Sequence, residues 1–246
     1  MTEGEWLGSR DPQALLNYIR RRTSNRKLRL LVCACCRHIW HLLTDERSRQ
    51  AVMVAERHAD GLATAADLDK ACVAAADAAE DAATVPGNTV IALAAAAADY
   101  STWPLDDEGA ELNLACEYSV RALEGESLQA AGATPEQLDG WVEEKVELGF
   151  VESDDGAMPE AMLCELIQEI FGNPYRPVDL DPAWLTPTVQ DLALAIYEER
   201  AFDRLPILAD ALEDAGCGST ELLTHCRQPS QHALGCWALD LVLRKA

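Results

Sequence analysis

Between Ala63 and Tyr100 the chain is nearly monotonous in alanine, interrupted once by "TVPGN" (residues 84–88). Alanine has the highest helix propensity and offers a strand nothing to pack, so the stretch predicts two helices joined as a hairpin. Such helices bury little side-chain volume and gain stability only where neighbouring backbones come close. The rest of the chain has the same bias, with 49% hydrophobic residues but only 6% aromatic. The expected fold is therefore all-α, an irregular multi-helix bundle or stack of helical hairpins of about 11–13 helices. No internal repeat of fixed period is evident, although an irregular stack of helix pairs would suit a scaffold.

Start and stop signals agree with that reading. Thr2 and Glu5 have capping-box spacing, and Asp11-Pro12 pairs a cap with a proline at the first helical position. Ser24 or Asn25 opens a helix expected to run to about Leu43, Asp45 opens the next, and Gly61 closes it. Further helices are expected over 108–124, from Thr134-Pro135 to near Gly149, and from Pro159 to Phe171. "FVESDDGAM" (150–158) reads as a linker. "GNPYRPVDLDPAWLTP" (172–187) holds four prolines in sixteen residues and cannot be an α-helix. It reads as a strap, with Tyr175 and Trp184 as anchors or contact residues. At 246 residues, this predicts a helical domain over 1–171, the strap over 172–187 and a short-helix subdomain over 188–246.

Charge is distributed unevenly. Residues 1–50 carry ten Lys/Arg against five Asp/Glu (+5), and the remainder carries ten against thirty-seven (−27), for a net charge of −22. An acidic body repels nucleic acid and anionic lipid. A polyanion would have to meet Arg20, Arg21, Arg22, Arg26, Lys27 and Arg29 alone, so nucleic-acid binding ranks as a second alternative. Pairing of this basic run with acidic helices, in the same chain or in another copy, is the simpler expectation. There is no secretory pattern at "MTEGEWLGSR" and no uninterrupted apolar run of membrane-spanning length. Nine cysteines, an odd number, fit reduced thiols better than a disulfide framework. The expectation is a cytoplasmic protein.

Two stretches concentrate sulfur and imidazole. In "LVCACCRHIWH" (31–41), a helical projection places Leu28, Leu31, Val32, Cys35, Cys36, Ile39, Leu42 and Leu43 on one face about 140° wide. Cys33 falls outside that face, which makes it the exposed candidate for a redox thiol whose pKa Arg29 and Arg37 would lower. A single helix cannot converge these donors on one ion, so packing is the expectation there. In "CGSTELLTHCRQPSQHALGC" (217–236), Cys217, His225, Cys226, His232 and Cys236 lie in twenty residues with two loops between them. That freedom suits a zinc site, although the paired C-x-x-C knuckles of the stronger zinc motifs are missing. His232 and Cys236 would share a face if the last helix began early enough. Asp210, Glu213 and Asp214, with Glu198 and Glu199 upstream, read as a solvated acidic face. Common nucleophile, phosphate-loop and metalloprotease signatures are missing, which leaves the catalytic and cofactor assignments at none, with zinc as the alternative cofactor.

The strings "EWLGSRDPQALLNYIR", "RKLRLLVCACCRHIWHLLTDERSRQAV", "IFGNPYRPVDLDPAWLTPTV" and "AIYEERAFDRLPILADALEDAGC" resemble a protein family numerous in planctomycete bacteria. The likeness covers both ends of the chain, about two thirds of it, and implies no activity, substrate or catalytic residue. "LPILADALEDAG" also looks like the "YADWLEE" helix of small repeat-companion modules in similar genomes, which implies an interaction role. The resulting expectation is a non-catalytic interaction or scaffold protein whose partner is another protein or a second copy. The first alternative is a metal-binding or redox-responsive protein using the carboxy-terminal Cys/His cluster.

Overall fold

A computed structural model describes residues 1–105, 110–148, 158–229 and 232–245. The protein is all-α, with thirteen α-helices and no strand among the described residues. No helix among them is long and apolar enough to cross a membrane. The chain divides into two compact units, one formed by Ser9–Leu166 and the other by Met1–Gly8 with Ile167–Ala246. The expected linker at 150–158 lies, but for Met158, outside the described residues.

The larger unit begins with α2 (Pro12–Ile19), capped by Asp11, whose carboxylate accepts from the Ala14 N–H. Helix α3 (Asn25–His38) is capped by Ser24. It is followed by α4 (Glu46–Ala59), α5 (Ala65–Ala83), α6 (Thr89–Tyr100), α7 (Ala110–Ala130) and α8 (Pro135–Leu148). Helices α3 to α7 pack on one another in chain order. The alanine stretch is the expected hairpin, α5 and α6, with a reciprocal Thr64–Asp67 capping box at its start. Helix α6 packs against both α5 and α7. Its approach to α7 is close enough that a Cβ on Gly125 would lie 3.0 Å from Val90 Cγ2. There a side-chain methyl of α6 packs directly on the bare backbone of α7.

Helix α3 ends five residues earlier than its apolar spacing suggests. After His38 the chain tightens into turns, with the Leu42 N–H donating to the Ile39 carbonyl at 2.9 Å, while Ile39 and Leu43 stay fully buried. Local tightening thus preserved the apolar pattern without extending the helix. Helix α7 runs to Ala130, six residues beyond its expected end.

In the smaller unit, α1 (Glu3–Gly8) precedes the last turn of α9 (Met158–Phe171), which crosses the division between units. The proline strap contains only a 3₁₀ turn, Pro182–Trp184. Beyond it come α10 (Pro187–Glu199), α11 (Leu205–Asp214), α12 (Thr220–Arg227) and α13 (Trp237–Leu243). Their core includes Val189, Ile196, Leu208, Leu212, Leu222 and Leu239. Trp184 packs partly buried on this core, and the Tyr175 hydroxyl donates to the Met1 carbonyl, so both act as anchors within the unit.

Candidate metal centre

Four side chains converge in the smaller unit. Helix α9 supplies Glu169 from its last turn, just before Gly172 ends the helix at φ +64. Helix α12 supplies His225 from its last turn. His232 lies on the connection to α13, and Cys236 immediately precedes that helix. One ligand atom from each of Glu169, His225, His232 and Cys236 lies within 4.8 Å of every other. His232 Nδ1 is 2.9 Å from Glu169 Oε1, His225 Nε2 is 3.4 Å from Glu169 Oε2, and His225 Nε2 is 3.2 Å from Cys236 Sγ. Bonds of 2.0–2.3 Å in a tetrahedron give ligand–ligand edges of about 3.3–3.8 Å. The cluster is therefore already close to the size of a zinc shell.

Its electrostatics suit a cation. Burial pushes the Glu169 carboxyl up, but hydrogen bonds with His225 and His232 outweigh that and hold it down at about 2. Burial, and then the Glu169 charge, push the Cys236 thiol well up. Cys236 would hold a divalent ion as its thiolate, so binding would offset that rise and free the thiol proton. Side-chain exposures are 12% for His225, 6% for Glu169 and 4% for His232, with Cys236 fully buried, so among the described residues the donors lie largely away from water.

The residues behind the donors are as ordered as the donors. His232 Nδ1 donates to Glu169 Oε1, and Nε2 faces the Gln228 carbonyl at 3.4 Å, which would accept the ring's remaining proton if Nδ1 took an ion. His225 Nδ1 accepts from the Trp237 indole N–H at 3.1 Å. Trp237 in turn lies flat on Gly172, where an added Cβ would sit 2.9 Å from the indole Cγ. The Trp6 indole N–H donates to the Gly172 carbonyl at 3.0 Å, and Gln168 Nε2 donates to the Trp6 carbonyl at 2.9 Å.

Cys236, His225 and Glu169 do not make a thiol protease-like triad. In a triad the acid holds the imidazole nitrogen opposite the nucleophile. Here Glu169 faces the same nitrogen as the thiol, and the indole occupies the other.

Three of the five expected donors thus meet, and Cys217 and Cys226 do not join them. Both are buried, and burial pushes the Cys226 thiol up to about 12. His232 and Cys236 come together through a turn containing Gly235 at φ +89, because α13 begins only at Trp237. Glu169 was missed. The only sequence signal was its position about 60° from Leu166, at the edge of the α9 apolar stripe.

The remaining candidates lie elsewhere. Cys33, expected to be exposed, is 1% exposed, its thiol 3.9 Å from the Val52 carbonyl, and burial pushes its pKa well up. The projection assumed a one-sided helix, whereas α3 contacts α4, α6 and α7 and buries every residue from Leu28 to Cys36. Cys35 and Cys36 are buried as expected.

In the basic run, Arg26 pairs with Asp60 at 2.9 Å, and buried Arg29 donates to the Ser101 and Trp103 carbonyls. Arg22 donates to the Tyr18 carbonyl and stacks on that ring. Arg20 and Lys27 are half-buried and Arg21 is exposed. On the acidic face, Asp210 and Glu213 share Arg227, and Glu199 pairs with Arg204.

No protein-family model, curated protein or solved structure matches this chain.

Proposed function

We propose that the protein is a non-catalytic, metal-stabilised interaction protein in which Glu169, His225, His232 and Cys236 hold one Zn²⁺. The observation that carries this reading is the convergence of a thiol, two imidazoles and a carboxylate within 4.8 Å of one another. Mixed sulfur, nitrogen and oxygen donors favour zinc over hard oxygen-seeking cations such as Mg²⁺ or Ca²⁺. Four protein donors and a buried shell make the site structural, since a catalytic zinc keeps one position open.

The benefit of such a site is local. Helices α12 and α13 have eight and seven residues, too short to be stable alone. The ion would fasten both to the end of α9. Elemental analysis of chain purified without chelator or affinity metal should find about one zinc per chain. Less than about 0.1 per chain, with none taken up from added Zn²⁺, would remove the reading.

A further inference from the structure

The two histidines are prepared differently for an ion. His232 directs its second ring nitrogen at a carbonyl, the arrangement that metal-bound imidazoles favour because the N–H left over after coordination needs an acceptor. His225 directs its second nitrogen at a donor, the Trp237 indole N–H, 3.1 Å away. Turning the His225 ring over would aim C–H groups at Cys236 and Glu169 and leave the indole without its acceptor. The ring as placed therefore carries its proton on Nε2, facing Cys236 Sγ at 3.2 Å and Glu169 Oε2 at 3.4 Å.

We propose that zinc loading is coupled to the position of Trp237, an inference that rests on the metal-site reading above. When Nε2 binds the ion it gives up its proton, and the neutral ring takes one on Nδ1, so His225 keeps its proton count. The Cys236 thiol releases one proton to water. The new Nδ1–H then points at the indole N–H, and two donors cannot share that contact. Trp237 is only partly buried, so its N–H can turn to water when Nδ1 expels it. Because the indole rests on Gly172, whose carbonyl holds Trp6, the displacement reaches the junction of α1 and α9. The indole–imidazole bond opposes zinc in one state, and its rupture reports zinc in the other.

The test is a Zn²⁺ titration of the ¹⁵N-labelled full chain, reading the indole N–H resonances of its six tryptophans with bound zinc measured in parallel. The Trp237 resonance is assigned by its loss in Trp237→Phe or, should that variant not fold, by nuclear Overhauser contacts to the Gly172 Hα atoms. With one equivalent of zinc, the Trp237 indole N–H should move towards a water-exposed shift and exchange at least about tenfold faster. Trp40 and Trp103 should stay in place. Trp237→Phe should bind zinc about fivefold more tightly, because one opposing hydrogen bond is gone.

If one zinc binds while the Trp237 resonance and its exchange stay unchanged, the coupling is wrong, the metal site stands, and His225 lies outside the coordination shell. If no zinc binds, the metal reading is wrong and the coupling falls with it.

Discussion

The side chains nearest the centre show how much one residue can decide. Gly172 answers two demands at once, a left-handed backbone at the end of α9 and a bare Cα beneath the Trp237 ring. Gly216 answers only the first, at φ +88 with nothing within 4 Å of an added Cβ. Alanine at either position carries the conformational cost of about 1–2 kcal/mol. At Gly172 it must also displace a ring, so Gly172→Ala should lose at least about 1 kcal/mol more than Gly216→Ala in chemical denaturation. Equal losses would show that the indole does not need the contact.

Asp99 gives a second prediction, of opposite sign. Burial pushes its carboxyl up, against the hydrogen bond donated by Trp103 Nε1 at 3.2 Å. The folded state therefore holds a proton that the unfolded chain has released, and stability is lost as pH rises from about 3.9 through the higher folded value. Asp99→Asn should be more stable than wild type at pH 7, with the difference vanishing below about pH 3.9; a difference constant with pH would refute the assignment. At this scale sequence pattern pointed to three of the four proposed ligands but not to Glu169, because an acidic residue at the edge of an apolar helix face looks the same whether it meets water or two imidazoles.

Among elements, the start signals were readable because a cap is a local bond. Asp11, Ser24 and Asp45 each accept the backbone N–H that their position in the sequence implies. What surrounds a helix is not local, and so the burial of Cys33 and the early end of α3 were not readable. The side of α3 that looked exposed is covered by α4, and the two are joined by Arg37, whose guanidinium makes two hydrogen bonds to Glu56 at 3.0 and 2.7 Å. The Glu56 side chain is 4% exposed, whereas Arg37 is 28% exposed and stacks 4.0 Å over the Trp40 ring. Removing the buried partner strands a guanidinium that can still reach water, which moderates the loss. Glu56→Ala should destabilise by about 2–3 kcal/mol, below the range for a wholly buried pair. Arg37→Met, which removes the charge but keeps apolar contact with Trp40, should recover part of that loss in the double variant, whereas simple additivity would mean the pair is not coupled.

For the whole molecule, charge asymmetry and helical class were legible in composition, but the division of labour between the two units was not. Within the larger unit the basic segment meets acidic partners, Arg26 with Asp60 and Arg47 with Asp81. The smaller unit has roughly ninety residues, a size for which the usual stability is about 5–13 kcal/mol. Structural zinc contributes about 10–16 kcal/mol in peptides that fold around it, and less where the fold persists without the ion. Even the lower part of that scale would rival everything else holding this unit together. All four proposed ligands belong to it, so the effect of removing zinc should be confined to it. Hydrogen exchange after chelation should show lost protection in peptides from 1–8 and 167–245, with 9–166 unchanged, and stoichiometric Zn²⁺ should restore the pattern. Equal loss in both units would mean that the chelator acts on the chain as a whole. Unchanged protection throughout, in protein shown to have lost its zinc, would mean that the ion binds without holding these helices together.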